Sequence, residues 1–263
     1  MPIFYGKATK AINFLQDKDK TYLAKFKLGI KTDTKDITGK ILKEEKSSVK
    51  KKDFEKVLEL FLGKIFQIPP MYSAVKVSGV ALYKLARQGK VVERKEREVL
   101  IYSLKCLEFD EEKQEGILEI FCSSGTYIRT LVEDIALKLG TYGVLLELER
   151  TKACGFSIDE SLKIEEVKRL KEEEKLEKYV KTIDEIFRDL GKISLSLKEQ
   201  EKFLNGVRLK IEGIENFKEK DMVRVYGEKF LGLAHNEDGF LKIDRIFCWI
   251  YYFKDLWALD WLK

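Results

Sequence analysis

Histidine and cysteine are scarce in this sequence, and their scarcity excludes several kinds of chemistry. The 263 residues include one histidine, His235, and four cysteines at scattered positions without a Cys-x-x-Cys pair: Cys106, Cys122, Cys154 and Cys248. A zinc site needs a cluster of such ligands, and Ser–His or Cys–His catalysis needs a histidine beside the nucleophile. We therefore expect no metal site, and chemistry that uses carboxylates, lysines, arginines, tyrosines or a bound cofactor.

Long apolar runs and a secretory signal pattern are also lacking. No stretch of the sequence approaches the ~20 consecutive apolar residues of a membrane-spanning helix, and the first residues do not have the pattern of a signal peptide. Unpaired, scattered cysteines are typical of proteins in a reducing compartment. Together these features predict a cytoplasmic protein.

A large net charge is absent as well, although charged residues make up 36% of the chain and the formal net charge is +5. This balance is compatible with a polyanionic partner but does not require one. The segment Lys46–Lys52 is almost entirely lysine and serine, whereas Glu165–Lys178 alternates in sign at helical spacing, as a solvated helix does. The length and the 44% hydrophobic content predict one large domain, or a core domain with a small appendage.

The hydrophobic pattern predicts both helices and strands. Pro2–Tyr5 has the pattern of the tail of a strand, and a helical period follows at Lys7–Gln16, Lys51–Gly63, Leu82–Gln88, Thr130–Leu139 and Ile164–Leu190. Apolar alternation predicts strands at Tyr22–Leu28, Val99–Phe109, Gly116–Cys122 and Val144–Arg150. Because these segments do not repeat as strict strand–helix–strand units, we predict the α+β class. After Gly191, alternation at residues 206–211, 222–226 and 230–234 predicts a small β-rich module.

The segment Cys122–Asp134 is the strongest candidate site, because it lies where a strand ends and a helix begins. Gly125 permits a tight turn and Thr126 can cap the helix, so that Tyr127 and Arg129 project near its first turn. A ring and a guanidinium together can bind a nucleotide, through stacking on the base and pairing with a phosphate or carboxylate. The alternative is an ordinary capped helix with a core tyrosine and a surface arginine.

Five blocks of the sequence, in order, resemble the bacterial tRNA pseudouridine synthase B family and cover most of residues 1–190. They are Asp19–Tyr22 with Leu28–Gly39, Gln67–Lys76, Leu82–Gly89, Ser124–Thr130, and Leu146–Thr151 with Phe156–Glu160. The resemblance implies a pseudouridine synthase core with a mixed, mainly antiparallel sheet flanked by helices over residues 1–190. It further implies a PUA-like RNA-binding module at residues 191–247, and residues 248–263 depart from the family.

The resemblance also implies a reaction and roles for individual residues. The substrate would be the T-loop uridine at tRNA position 55, flipped out and isomerised to pseudouridine without a metal or cofactor. Tyr22 would stack on the uracil, Tyr127 and Leu148 would line the pocket, and Arg129 would pair with the catalytic carboxylate. Contacts with RNA would come from Lys76, Arg87 and Arg150, whereas Glu149 replaces a family arginine and weakens any phosphate contact there. For Tyr22 and Leu148 the alternative is a place in the core.

The family's nucleophile is an aspartate in a Gly-Thr-Leu-Asp-Pro run, and this sequence contains no such run. Gly6–Lys10 matches the Gly-x-Ala-Thr-Lys segment that follows the nucleophile in the family, so the aspartate would lie before Met1. The aspartates near the start have the wrong neighbours and are not proposed as nucleophiles: Asp17, Asp19, Asp33 and Asp36. We therefore expect an N-terminally truncated chain, through a miscalled start codon or a broken gene, in which Arg129 faces an empty position and catalysis is lost.

The last residues are unusual, because all three tryptophans fall within Cys248–Leu262. A frameshifted reading is favoured over a packing helix or an exposed apolar patch. We expect a monomer. Two other functions fit the sequence: a non-catalytic tRNA-binding remnant, and a protein-interaction module that uses the lysine-rich segment and the aromatic tail.

Overall fold

The computed structural model describes residues 2–15 and 18–247, which form two compact units. Within these residues, the first unit consists of residues 18–161 with Pro2, and the second of residues 3–15 and 162–247. The predicted domain division after residue 190 stays a prediction. The expectations about the tryptophan-rich tail concern residues 248–263, which lie outside the described residues.

The first unit is built on a six-stranded sheet in which every pair of neighbouring strands is antiparallel. The order of strands across the sheet is β10-β9-β1-β8-β7-β4, and two short hairpins, β2–β3 and β5–β6, lie apart from it. The elements in chain order are β1 (Lys20–Leu28), β2 (Ile30–Thr32), β3 (Ile41–Glu44), α1 (Lys51–Leu58), β4 (Gly63–Gln67), β5 (Lys76–Val77), β6 (Val80–Ala81), α2 (Leu82–Arg87), β7 (Arg97–Asp110), β8 (Glu115–Cys122), α3 (Ile128–Lys138), β9 (Gly143–Ala153) and β10 (Phe156–Ser157).

One face of this sheet is buried beneath α1 and α3. Along β8, alternate residues Leu118, Ile120 and Cys122 are almost wholly buried, as the period of two requires for a strand with one face in the core. Helix α3 covers them with apolar residues at helical spacing, among them Leu131 and Ile135. The packing fixes the direction in which α3 leaves the end of β8, and thereby the position of its first turn.

A stack of three phenylalanine rings joins α1 to the sheet. The ring of Phe54 on α1 lies 4.9 Å from the ring of Phe26 on β1 and 4.9 Å from the ring of Phe109 on β7, nearly parallel to both. Phe26 and Phe54 are each 1% exposed. Because buried aromatic rings contribute both apolar area and ring–ring contact, Phe54 is the main attachment of α1 to this sheet.

The second unit has its own core around a four-stranded sheet of order β11-β12-β13-β14, in which β11 and β12 are parallel and the other pairs antiparallel. Its apolar core includes Phe203, Ile214, Val223 and Leu241. The elements in chain order are α4 (Ile164–Glu172), α5 (Ile183–Ile186), β11 (Gly191–Ser194), α6 (Leu197–Leu204), β12 (Met222–Tyr226), β13 (Phe230–Glu237) and β14 (Phe240–Ile246).

The α+β class is confirmed, and most predicted elements are present with shifted ends. Among the described helices, none is long and apolar enough to span a membrane. The helix predicted at residues 7–16 is a 3-10 helix at Gly6–Phe14. Residues 59–61 of the predicted helix at Lys51–Gly63 are also 3-10, and Gly63 begins β4.

Three predictions of local structure are wrong. Pro2–Tyr5 forms no strand, since no described strand pairs with it. The long charged helix at Ile164–Leu190 is broken into α4, a 3-10 helix at Leu176–Tyr179, and α5. The break occurs where Glu174 takes a positive φ of 56° and Thr182 starts a new helix with a capping box. Residues 206–211 form only an isolated bridge between Leu209 and Leu241.

The phenylalanine stack leads to a prediction about stability. Phe54→Ala should lower the free energy of unfolding by about 3–5 kcal/mol, because it opens a cavity in a packed core. Phe66→Ala is the matched control: this phenylalanine on β4 is 64% exposed, so its removal should change stability by at most about 0.5 kcal/mol. Urea unfolding followed by circular dichroism measures both, and equal effects would contradict the role of the stack.

Candidate active site

The turn between β8 and α3 places the first turn of α3 at the end of the sheet. Gly125 has a φ of 88°, which residues with a side chain rarely adopt, so the sequence needs glycine here. The prediction that Thr126 caps the helix is wrong, because the N-cap residue is Tyr127 and no side chain caps it. The Thr126 hydroxyl instead donates a hydrogen bond to the carbonyl of Ser123, 2.9 Å away, and closes the turn.

Gln67, at the end of β4, fixes the backbone of Tyr127. Its side chain is almost completely buried. Its Oε1 accepts from the Tyr127 N–H at 3.0 Å, and its Nε2 donates to the Tyr127 carbonyl at 3.4 Å. One of the otherwise unpaired N–H groups at the start of a helix is thus satisfied by a residue 60 positions away. The sequence alone does not predict this role, and its only signal is a glutamine at the end of an edge strand.

Arg129, in the first turn of α3, is the centre of the candidate site. Its Nη1 lies 2.9 Å from Oδ2 of Asp36 and donates also to the Thr34 carbonyl at 3.3 Å, and its Nη2 donates to the Tyr72 carbonyl at 3.2 Å. Asp36 is thus a carboxylate partner of Arg129 that the sequence did not assign. The expectation that Arg129 faces an empty position where the nucleophile would lie stays a prediction. A guanidinium has five N–H donors, and these three bonds leave the Nε–H and one Nη2–H without a partner among the described residues.

Asp36 lies in the loop of residues 33–40 that connects β2 to β3. Its Oδ1 accepts hydrogen bonds from the Thr38 hydroxyl at 2.6 Å, the Thr34 hydroxyl at 2.9 Å and the Thr38 N–H at 3.1 Å. Burial tends to raise the pKa of this carboxyl, but the hydrogen bonds from Thr38 and Thr34 and the charge of Arg129 outweigh burial and hold the pKa below its usual value. Asp36 is therefore an ionised carboxylate that accepts four hydrogen bonds, three at Oδ1 and one, from Arg129, at Oδ2.

A second ion pair crosses between the same loop and the same helix. Lys35 precedes Asp36, and its Nζ lies 2.6 Å from Oε2 of Glu133, which is one turn after Arg129 on α3. Both side chains are mostly buried, at 19% and 12% exposed. Lys35 and Asp36 are neighbours on the loop. They thus pair with Glu133 and Arg129, which lie one turn apart on α3. This arrangement fixes both the position of the loop and its register along α3.

Asp134, the next residue on α3, has an unusual environment. Burial raises the pKa of its carboxyl to about 6, the positive charge of Lys35 partly opposes this rise, and the negative charge of Glu133 adds to it. Two adjacent carboxyl groups therefore share the influence of one lysine. The ionised form of Asp134 is the one that the folded protein disfavours.

Tyr22 and Arg150 are cross-strand partners on β1 and β9. Burial raises the pKa of the Tyr22 hydroxyl, the nearby Cys122 raises it further, and the charge of Arg150 and its hydrogen bond with the hydroxyl lower it. Tyr22 is only partly buried and packs against the core beside Ile120, its partner on β8. Leu148 on β9 is 45% exposed, so it is not a core residue of this sheet. Its place in a substrate pocket stays a prediction.

The two other residues predicted to contact RNA lie in the segment between β4 and β7. Lys76 is exposed on the short hairpin β5–β6. Arg87 is on α2, with its guanidinium carbon 5.6 Å from the centre of the Tyr83 ring. Within the described residues no hydrogen bond or ion pair joins Lys76 or Arg87 to Arg129, whereas the carbonyl of Tyr72, in the same segment, does bind Arg129.

Solved structures with a similar fold include the "Crystal Structure of a Cbf5-Nop10-Gar1 Complex", with a TM-score of 0.65 and 21% identity, covering 92% of this chain and 70% of that one. Another is the "Structure of H/ACA RNP bound to a substrate RNA containing 2'-deoxyuridine", with a TM-score of 0.64 and 17% identity over 92% and 70% of the two chains. At these identities the similarity establishes the fold.

Sequence comparison is more specific. The family model described as "TruB family pseudouridylate synthase (N terminal domain)" matches residues 1–128, and the "tRNA pseudouridylate synthase B C-terminal domain" model matches residues 129–188. The tRNA pseudouridine synthase B of Clostridium tetani is 38% identical over 249 residues, which are 94% of this chain and 84% of the relative. That of Francisella tularensis subsp. novicida is 39% identical over 253 residues, 94% and 80% of the two chains.

The fold and the matched domain models define a pseudouridylate synthase, an isomerase that acts on RNA. With relatives of 38–39% identity over nearly the whole chain, the chain belongs to the tRNA pseudouridine synthase B family. The family resemblance in the sequence is thereby confirmed, and so is tRNA modification as the function of the family.

The pair between Arg129 and Asp36 predicts how Asp36 titrates. Arg129→Gln removes the positive charge and should raise the Asp36 pKa toward its ordinary value of 3.8, as measured by carboxyl ¹³C NMR between pH 2 and 6. Because the folded-state pKa is depressed, the stabilisation by Asp36 is present above that ordinary value and is lost as the pH falls through the folded-state pKa. Arg150→Gln is the control with the same change of charge and should leave Asp36 unaffected; an equal shift in both variants would refute a specific pair.

The raised pKa of Asp134 predicts the opposite dependence of stability on pH. Its folded-state pKa of about 6 lies above the ordinary 3.8, so the stability associated with this group is present below pH 3.8 and is lost as the pH rises through 6. Asp134→Asn should therefore be more stable than the natural protein at pH 7.5, and the advantage should disappear near pH 4. Urea unfolding at both pH values measures it. An advantage of the same size at both pH values would show that titration is not its cause.

Proposed function

We propose that this chain binds the T arm of tRNA and forms the site at which the uridine at position 55 is isomerised once a nucleophilic aspartate is supplied. The observation that carries the proposal is the position of Arg129, which is held at the first turn of α3 by Asp36 and by the carbonyl of Tyr72. Tyr127 precedes this turn and is fixed by Gln67. This cation has two N–H donors without a partner in the described part of the chain, and it lies next to a tyrosine at the end of a sheet. Such a site is suited to bind a carboxylate and an everted base.

The reaction breaks the bond between uridine N1 and the ribose C1′ and forms a bond from C1′ to C5 of the same base. C5 loses a proton and N1 gains one, so that atoms and electrons balance without an oxidant, a reductant or a group donor. The base must first leave the stacked T loop. Stacking on Tyr22 recovers roughly 1–3 kcal/mol of this cost, and the half-buried ring with its Arg150 neighbour supports that role.

Asp36 does not serve as the nucleophile in this proposal. Its Oδ1 already accepts three hydrogen bonds, and its Oδ2 is paired with Arg129. A carboxylate that accepts four hydrogen bonds and whose pKa is depressed is a poor nucleophile. The nucleophile belongs to a Gly-Thr-Leu-Asp-Pro run, and the free Nε–H and Nη2–H of Arg129 are the donors that would hold it. A polypeptide of residues 1–263 alone, which lacks this run, is thus proposed to bind tRNA without forming product.

The remaining expectations complete the proposal. Residues 191–247 act as a PUA-like module that helps to hold the tRNA. The tRNA backbone is contacted by Lys76, Arg87 and Arg150. Leu148, exposed on β9, lines the uracil pocket. The protein acts in the cytoplasm as a monomer.

The test separates binding from catalysis. Fluorescence anisotropy should show tighter binding of the polypeptide to a T-arm hairpin than to an anticodon-arm hairpin of the same length. Mass spectrometry of digested tRNA should show no pseudouridine with residues 1–263. Product should form when these residues are preceded by a segment that carries the family's Gly-Thr-Leu-Asp-Pro run, and should fail to form when the aspartate of that run is replaced by asparagine.

Each outcome has a defined meaning. Pseudouridine made by residues 1–263 alone would overturn the assignment of the nucleophile. Product at another uridine, or unchanged product on a tRNA with cytidine at position 55, would overturn the T-loop assignment. Equal binding of both hairpins would contradict recognition of the T arm, and binding that no RNA can compete would favour a protein-interaction module.

A further inference from the structure

Two lysines lie opposite each other on the hairpin β2–β3, and both contact the ring of the same tyrosine. Lys31 and Lys43 are directly opposite in the register of the two strands. Their Nζ atoms lie 5.6 Å and 5.4 Å from the centre of the Tyr142 ring, and Nζ of Lys43 donates to the Tyr142 hydroxyl at 3.1 Å. We call these residues the Tyr142 cluster.

The charges of this cluster are not neutralised by ion pairs. Within the described residues neither Lys31 nor Lys43 has a carboxylate within 4.0 Å, although Glu45 is close enough to act on Lys43 electrostatically. The Glu45 side chain itself accepts a hydrogen bond from Thr141. The hydrogen bond with Tyr142 raises the pKa of Lys43, and the charge of Glu45 adds to the rise.

The lysine-rich segment that stands out in the sequence differs in this respect. There Nζ of Lys50 is 3.1 Å from Glu111, and Nζ of Lys51 is 3.8 Å from Glu55. Those charges are compensated within the protein. Lys50 and Lys51 are therefore weaker candidates for an anion site than Lys31 and Lys43, which the fold brings together.

Like charges directly opposite each other on antiparallel strands destabilise the pair. A tyrosine ring can offset part of this repulsion through cation–π contacts, which at exposed sites contribute about 0.5–1 kcal/mol each. A doubly charged cluster with no ion pair among the described residues is best compensated by an external anion. Because the ring already contacts two cations, it is poorly placed to stack on a base, and a phosphate fits the cluster better than a nucleobase.

The cluster is connected to the candidate active site by the backbone. The N–H of Gly29 donates to the Tyr142 carbonyl at 2.7 Å, and three residues further along the chain the N–H of Leu145 donates to the Lys35 carbonyl at 3.2 Å. The loop between the two lysine-bearing strands carries Asp36, the partner of Arg129. Three strand residues span roughly 10 Å, so the cluster lies on the flank of the loop that carries Asp36.

We propose that the Tyr142 cluster binds a phosphate of the RNA backbone on the flank of the active site, through Lys31 and Lys43. The inference rests on the proposed function, because it assumes that tRNA is the ligand. It adds a contact that orients the RNA strand next to the loop containing Asp36. Tyr142 acts by positioning, since its hydroxyl and ring hold the two ammonium groups together.

The test uses the full chain and a labelled T-arm hairpin, with affinity measured against salt concentration. Lys31→Gln with Lys43→Gln should weaken binding roughly tenfold or more at 0.1 M salt, and should reduce the slope of log affinity against log salt by about 0.7–0.9 for each phosphate that is no longer neutralised. The matched control is Lys50→Gln with Lys51→Gln, which removes the same charge from lysines that already have carboxylate partners. Its slope should not change.

Stability and charge restoration distinguish phosphate binding from a structural role. The Gln variant should keep or raise its melting temperature, because it removes a like-charge repulsion, and Lys31→Arg with Lys43→Arg should restore the salt slope. A lowered melting temperature with no restoration by arginine would overturn the proposal in favour of a structural cluster. An unchanged affinity and slope in the Gln variant would overturn it while leaving T-arm binding intact, whereas absence of binding by the natural chain would refute the proposed function itself.

Discussion

The ion pair between Arg129 and Asp36 is the interaction on which the arrangement of the site depends. Both side chains are mostly withdrawn from water, at 29% and 22% exposed, and a partly buried charge without a partner would be strongly unfavourable. The pair is tolerated because each group makes further hydrogen bonds, Arg129 to the carbonyls of Thr34 and Tyr72 and Asp36 to Thr34 and Thr38. Three segments that are far apart in the sequence therefore meet at one guanidinium.

The presence or absence of a partner of opposite charge separates the charges that maintain the fold from those that are available to a ligand. Lys35 and Glu133 lie in the first group, because the fold buries them together. Lys31 and Lys43 lie in the second, since the hairpin brings their ammonium groups to one ring without a carboxylate partner among the described residues. Composition cannot make this distinction: a net charge of +5 over the chain says little about where an anion binds.

The sequence predicted the parts of the fold that rest on local periodicity and the parts of the site that belong to one contiguous motif. Strand β8 and helix α3 have strong apolar patterns, and Tyr127 and Arg129 follow directly from the turn at Gly125. Gln67 and Asp36 could not be assigned in the same way, because their partners are 60 and 93 residues away. Charge alternation at Ile164–Leu190 suits a single helix, yet the segment buries few apolar residues that would hold a long one together.

Asp36 also determines how strongly Arg129 can attract a second carboxylate. A lone guanidinium would hold an incoming carboxylate in a tight pair and lower both its basicity and its reactivity. In the proposed site much of that attraction is directed at Asp36. A nucleophile held by the Nε–H and the second Nη2–H, which have no partner among the described residues, would therefore meet an arginine that is largely neutralised. This arrangement would position the proposed nucleophile by hydrogen bonds while leaving it more basic than in an isolated ion pair. In a simple ion pair, the arginine that positions a carboxylate also lowers its reactivity. The negative charge of Asp36 would separate these two effects.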